Sequence, residues 1–247
     1  MKRIFDFLAS FVGLIIFSPL LLFVMFLVWI NDFGNPFYTA MRVGKSEKTF
    51  KMFKLRSMIV NADKSGVDST SNNDMRITRI GKFIRKFKMD ELSQLINVLL
   101  GDMSLVGPRP NVQRETDLYT KSEKKLLLVR PGITDISSIV FSDEGEILSN
   151  SKYPDIDYNQ LIRPGKGYLG IFYIENQSFL LDIKLIFITL ITIFNRNLAL
   201  KNVSKVLKKY NASESLIKIA ERKEKLVPSP PPGSINIVKD RSGKVDG

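Results

Sequence analysis

Residues 7–30 read FLASFVGLIIFSPLLLFVMFLVWI, and no charge occurs between Asp6 and Asp32. At about 1.5 Å per residue, a helix of this run is long enough to cross a bilayer. It exceeds the apolar core of a cleaved signal peptide, and no small-residue cleavage site precedes Asn31, so it is expected to remain as an anchor. Two features bear on how it sits. Lys2 and Arg3 precede it, while Arg42, Lys45, Lys48, Lys51, Lys54 and Arg56 follow with only Glu47 opposing. Positive charge on both flanks favours keeping both ends in the cytoplasm. Ser18-Pro19 falls mid-run, and Pro19 leaves the Ile15 carbonyl without its helical partner unless a neighbour such as the Ser18 hydroxyl satisfies it. A re-entrant helix–break–helix accounts for both facts. A spanning helix with a tolerated proline kink is the alternative.

Composition narrows the chemistry. Among 247 residues there is no cysteine and no histidine. Disulfides, thiolate chemistry and imidazole acid/base catalysis are excluded, along with the commonest transition-metal ligand. Catalysis here has to use carboxylates, Lys, Arg, Tyr, Ser or Thr, and a metal has to be a hard cation held by oxygen. The net charge of +12 suits an anionic partner: lipid, nucleic acid or a phosphorylated substrate.

Beyond the turn cluster NDFGNP (31–36), the segment 37–57 reads as extended, with apolar and basic residues alternating in 49–58. Residues 61–75 read as a mobile polar loop. In 76–87, Ile77, Ile80, Phe83, Ile84 and Phe87 share a helical face opposite Arg76, Arg79, Lys82, Arg85 and Lys88. A second helix follows over 90–100, closed by Gly101, and a third is expected over 117–128. Segment 142–167 is turn-rich and ambiguous. Residues 179–194 are apolar but carry Asp182 and Lys184, which suits an interfacial or core helix. The expected organisation is a membrane helix at 1–31, a catalytic domain at 32–200, and a basic helical extension with a disordered Pro/Gly-rich tail at 201–247.

Three places could carry chemistry. Asp90-Glu91 lies at a helix start, where free N–H groups favour anions. Helix capping is the bland account of that pair. The basic residues between Arg76 and Lys88, with no acid among them, favour an ionised carboxylate and attract an anionic substrate. Gly107-Pro108-Arg109-Pro110 fixes one guanidinium between two prolines, a form suited to gripping phosphate or simply to a surface loop. Lys54 and Arg56 read equally as phosphate contacts and as membrane-surface charges.

Taken together, FSPL (17–20), FKLRSM (53–58), RITRIGKFIRK (76–86), MDELSQLINVLLGDMSLVGPRP (89–110), RPGIT (130–134) and YIENQSFLLDIKLI (173–186) resemble the monotopic phosphoglycosyltransferases, the bacterial sugar transferases. The likeness covers roughly residues 1–197. It implies an α/β, mostly helical catalytic domain with a re-entrant helix broken at Ser18 and Pro19 and with interfacial amphipathic helices. It implies Asp90 as the nucleophile on the sugar-bearing phosphate of a UDP-sugar, UMP as leaving group, and Glu91 as the holder of Mg²⁺ or Mn²⁺. Polyprenyl (undecaprenyl) phosphate is then the acceptor. Arg109, Lys54, Arg56 and Arg85 correspond to phosphate-binding positions, and Arg85 and Asp182 also to charges that hold interface helices to the core. The implied place is the cytoplasmic face of a bacterial inner membrane, at the first lipid-linked step of glycan assembly and ahead of downstream glycosyltransferases. One stretch departs: where many relatives continue with a Gly-Trp-Ala-Gln-Val type sequence, this chain has DISSIVFSDEGEIL (135–148), which bears on the donor sugar. A non-catalytic scaffold on anionic lipid is the rival reading. A nucleic-acid binder is disfavoured because the basic stretches lack clustered aromatics.

Overall fold

The computed structural model describes residues 1–62, 74–240 and 243–244, so the polar loop expected at 61–75 lies mostly outside the described residues. The apolar run forms one helix, α1 (Lys2–Asp32), which passes through Pro19 without leaving the helical path. Ser18 Oγ donates to the Ile15 carbonyl at 2.8 Å, replacing the bond that the proline cannot give. The expected pair of helices around a break is therefore a single element. Its burial is inverted relative to a soluble helix. Asp6 and Ser10 are buried, whereas Phe11, Ile15, Ile16, Leu22 and Phe23 are each at least half exposed.

β1 (Phe37–Val43) and β2 (Thr49–Leu55) form an antiparallel hairpin, pairing Phe37 with Leu55 and Val43 with Thr49. α2 (Arg79–Lys86) is capped by Thr78, whose hydroxyl accepts from Gly81 N at 2.8 Å. Gly81 approaches the Ser57 carbonyl so closely that a Cβ would lie 1.8 Å from it. Of the apolar face expected here, Ile77 and Ile84 are buried, while Phe83 and Phe87 stay exposed, ring centroids 5.0 Å apart. α3 (Gln94–Leu100) ends at Gly101, with φ 94°. β3 (Ser104–Val106) precedes the one-turn α4 (Gln113–Thr116) and pairs in parallel with β4 (Gly132–Thr134). The helix expected over 117–128 is a tighter run, Glu123–Leu128. Thr120 and Glu123 exchange side-chain and backbone bonds just ahead of it (3.0 and 3.1 Å), in the manner of a capping box.

Short helices α5 (Ile136–Val140), α6 (Glu144–Ile147) and α7 (Pro154–Asp157) and a π turn at Tyr158–Ile162 resolve the ambiguous segment. α8 (Arg163–Asn176), α9 (Phe179–Phe194), α10 (Arg196–Lys209) and α11 (Glu214–Glu221) complete the fold. The main core draws Ile139, Leu169, Tyr173, Leu181 and Leu185 together with Val203, Val206, Leu207, Leu216 and Ala220. Residues beyond 200 thus share the core instead of extending from it. The tail expected to be disordered is also docked on the body as far as Val238, which is fully buried. Prolines explain the difference: they restrict φ, so a segment rich in them has less entropy to lose on docking.

Both ends of α1 rest on this body. Lys2 Nζ reaches Asp182 Oδ2 at 2.5 Å and the Val106 carbonyl at 3.0 Å. Arg3 donates to the Val98 and Leu99 carbonyls in the last turn of α3. Asp6 accepts from Ser104 Oγ at 2.8 Å and from Leu105 N at 3.2 Å. At the far end Val24 and Val28 pack on Leu55 and Ile84, and Asp32 grips Arg56.

Candidate active site

Asp90 and Glu91 sit on a tight turn (Met89–Glu91) just before α3, not within a regular helix. Lys88 enters that turn in the left-handed region, φ 52°, an uncommon conformation for a residue with a side chain. Two polar residues of the apolar stretch that follows lock the turn to β2. Asn97, fully buried, donates to the Lys51 carbonyl at 2.7 Å and accepts from Phe53 N at 2.9 Å. Its amide thereby satisfies the edge of β2 that β1 does not cover. Ser93 Oγ lies 3.2 Å from both the Phe53 and the Asp90 carbonyls. Sequence reasoning did not single out Ser93 and Asn97. Their signal is a polar pair four residues apart, with Gln94 the one other polar residue of a stretch that is apolar elsewhere.

That docking carries Lys54 to Asp90, Nζ to Oδ2 at 3.2 Å. Arg109 comes from a second direction. Gly107 N donates to the Thr134 carbonyl at 2.9 Å and Gly132 N to the Pro108 carbonyl at 3.0 Å, so GPRP and RPGIT lie against each other. A Cβ on Gly132 would stand 2.0 Å from Gly107 N, and only glycine permits this approach. Arg109 NH2 then meets Glu91 Oε1 at 2.7 Å. Burial alone would push the Glu91 carboxyl up, but Arg109, Lys88 and Lys54 hold it down at about 2. Glu91 in turn raises Arg109, so this pair is ionised at any physiological pH.

Asp90, Glu91, Lys54, Arg85 and Arg109 line one cavity of about 800 Å³ in which cationic side chains outnumber carboxylates. Arg56, expected among the phosphate contacts, does not line it. Its guanidinium is engaged by both Asp32 oxygens and, at 2.7 Å, by the Asn35 carbonyl, so it clamps the end of α1. Asp182, on α9, is buried and accepts from Tyr173 Oη at 2.6 Å as well as from Lys2, which ties α8, α9 and the start of α1 to one carboxylate. The wall facing the dyad includes Ser138 and Phe141 to Glu146 from the departing stretch, with Tyr158 and Lys166. Glu144 pairs with Lys166. Burial opposes its charge, but Lys166, Arg109 and Arg85 hold it below the usual carboxylate range.

The bacterial sugar transferase family model matches residues 1–196. The chain belongs to the bacterial sugar transferase family. It is similar, at 35% identity over 195 residues, to a UDP-N-acetylgalactosamine-undecaprenyl-phosphate N-acetylgalactosaminephosphotransferase of Aeromonas hydrophila, covering 78% of this chain and 43% of that protein. It is 34% identical over 212 residues to an undecaprenyl-phosphate galactose phosphotransferase of Salmonella typhimurium, covering 80% and 41%. With exopolysaccharide production protein ExoY of Sinorhizobium fredii it shares 34% identity over 204 residues, covering 76% and 83%. The chain spans about two fifths of the length of the first two relatives. In this chain the dyad, Lys54 and Arg109 lie inside the family-matched range, whereas nearly all of α10, all of α11 and the packed C-terminal segment lie beyond it.

Proposed function

We propose that this chain transfers a phospho-sugar from a UDP-sugar to a polyprenyl phosphate, releasing UMP. The observation that carries the reading is the paired dyad: two adjacent carboxylates, each held by a cation from a different motif, in a cavity rich in positive charge. A carboxylate oxygen of Asp90 attacks the sugar-bearing phosphorus, and the bond from that phosphorus to the bridging oxygen breaks, so UMP departs with the electron pair. The acceptor phosphate oxygen then attacks the same phosphorus. The bond to Asp90 breaks, the carboxylate is restored, and a polyprenyl-diphosphate sugar leaves. Lys54 orients Asp90 and, with Arg109 and Arg85, counters the charge of the diphosphate.

A hard divalent cation fits the donor set. Asp90 and Glu91 each commit one oxygen to a protein cation, and among the described residues no third acidic group gathers beside them. Mg²⁺ characteristically takes one or two carboxylates and leaves its remaining positions to phosphate and water. Glu91 is the residue that would hold Mg²⁺ or Mn²⁺, which supplies charge neutralisation at the phosphates.

The place of work follows from α1. A helix that buries Asp6 and Ser10 and exposes its phenylalanines and leucines suits an apolar medium. With both ends on one body and basic residues on both flanks, α1 keeps both of its ends at the cytoplasmic face of the bacterial inner membrane.

The decisive measurement is UMP release from a panel of UDP-sugars, with Mg²⁺, before polyprenyl phosphate is added. The expected result is a burst, with a phospho-sugar retained on the peptide containing Asp90. Full turnover in excess chelator removes the metal from this scheme, and a label on another peptide removes Asp90. For the topology, cysteines introduced at Ile4 and Lys45 of this cysteine-free chain are expected to label from the cytoplasmic side only.

A further inference from the structure

The C-terminal segment packs on a second cavity that opens into the catalytic one. This cavity measures about 310 Å³ and shares Arg109, Asn111, Glu115, Tyr158 and Lys166 with the first, so those five form a neck. Beyond the neck the lining includes Tyr119, Asn159, Arg163 and Gly167. The C-terminal segment runs along the outer side of that wall. Ser229 N donates to the Gln160 carbonyl at 3.1 Å, Gln160 Nε2 donates to the Val238 carbonyl at 2.6 Å, and the Thr120 hydroxyl donates to the Pro232 carbonyl.

Pro232 seats on Gly167, where a Cβ would meet the proline ring at 2.7 and 2.8 Å. With no side chain between them, the ring stands one backbone thickness from the cavity. Gly233 turns the chain at φ 82°, and a Cβ there would meet Ser122 Oγ at 2.5 Å. Each of these two glycines is required by what the other chain segment places against it, which marks a fitted contact. Buried Arg163 donates to both Glu123 oxygens (2.9 and 2.7 Å), to the Leu118 carbonyl at 2.7 Å, to Asn159 at 3.1 Å and to the Gly243 carbonyl at 3.1 Å. The C-terminal segment therefore completes the bonding of a lining guanidinium as well.

We propose that residues 228–240 are a strap bracing this cavity as the subsite for the sugar of the donor, an inference that rests on the transferase reading. Arg109 at the neck keeps the phosphates on the catalytic side. Past it, the Asp155 carboxylate can accept, and the Tyr119 hydroxyl, which accepts from Asn111 Nδ2 at 2.8 Å, keeps its proton to donate, the two functions that ring hydroxyls require. The named relatives differ in the sugar they move. A segment beyond the family-matched range serves what differs among members, not the nucleotide they share.

The test is calorimetric titration of an Asp90→Asn chain, whose turnover is expected to be slower by about a thousand-fold or more. The ligands are UDP alone, UDP-glucose, UDP-galactose, UDP-N-acetylglucosamine and UDP-N-acetylgalactosamine. Three chains are compared: full length, one ending at Val227, and Gly233→Val, which lifts the strap with every lining residue in place should the truncated chain not fold. Both altered chains are expected to bind the preferred UDP-sugar roughly ten-fold more weakly while UDP stays within about two-fold. In the Asp90 enzyme, donor KM is expected to rise while kcat at saturation stays within about three-fold. Unchanged affinity for the preferred UDP-sugar overturns the strap. So does an equal loss for UDP, which would give the cavity to the nucleotide, and so does a full-length chain that binds no UDP-sugar better than UDP. If the full-length chain binds none of the five ligands, the transferase reading itself fails.

Discussion

The two walls of the catalytic cavity are built differently. On the dyad wall both carboxylates meet a cation brought from another motif, and the supporting side chains of Asn97 and Ser93 are buried. The facing wall belongs to the stretch that departs from the usual family pattern. Its charges pair among themselves or with the C-terminal helices: Glu144 with Lys166, and Asp143 with Arg196 and with Arg222, each at 3.0 Å. One wall is organised around the phosphate chemistry that the family shares. The other departs from the usual family sequence and takes one of its three anchoring cations, Arg222, from beyond the family-matched range.

The largest expected effect breaks the first wall alone. Asp90→Asn is expected to lower UMP release by about a thousand-fold or more, while costing about 1 kcal/mol of stability or less, because asparagine preserves size and only the Lys54 ion pair is lost. Glu144→Gln on the facing wall is expected to leave kcat within about three-fold and raise donor KM. Parallel losses of kcat in the two variants would erase the distinction between the walls.

Next comes Arg109→Ala, expected to reduce activity about a hundred-fold. Glu91 titrates at about 2 in the fold against an ordinary 4.5. Its folded value is depressed, so the stabilisation is fully present above the ordinary value and drains as pH falls through it towards 2. Without Arg109 the Glu91 titration moves up, and the acid limb of the pH–activity profile moves with it. A limb that stays in place would mean that Lys54 and Lys88 alone hold Glu91 down.

Asn97→Leu tests whether the dyad wall depends on its docking to β2. Two bonds of a buried edge are lost, so a drop of about 2 kcal/mol is expected in urea unfolding, with activity falling because Lys54 and Asp90 lose register. An unshifted midpoint would show the edge satisfied by other means. The smallest effect belongs to Ser18→Ala, at about 1 kcal/mol or less, with labelling at residues 4 and 45 still from one side. Labelling from opposite sides in that variant would give the Ser18 hydroxyl a topological role.

Some of this was legible in the chain itself. The helix α1 follows from the length of its apolar run, the β1–β2 strands and the α2 helix follow from periodicity, and the lack of histidine and cysteine narrowed the catalytic groups to carboxylates, Lys, Arg, Tyr, Ser and Thr. Asp90, Glu91 and Arg109 stood out by residue type and surroundings. Arg56 misled because its basic neighbours gave no hint that Asp32, at the end of α1, would claim it. The tail misled because proline-rich composition reads alike whether a segment is loose or docked.

What the sequence determined by itself is local: which residues favour a helix, which face is apolar, which groups can be nucleophile or phosphate ligand. These follow from repeats of two to four residues, over which neighbouring side chains necessarily meet. Which cation serves which carboxylate was decided only by the tertiary structure. Lys54 and Asp90 are 36 positions apart, Arg109 and Glu91 18, and Gln160 meets Val238 across 78. Such pairs form only when packing brings separate elements into contact, because no local periodicity spans those separations.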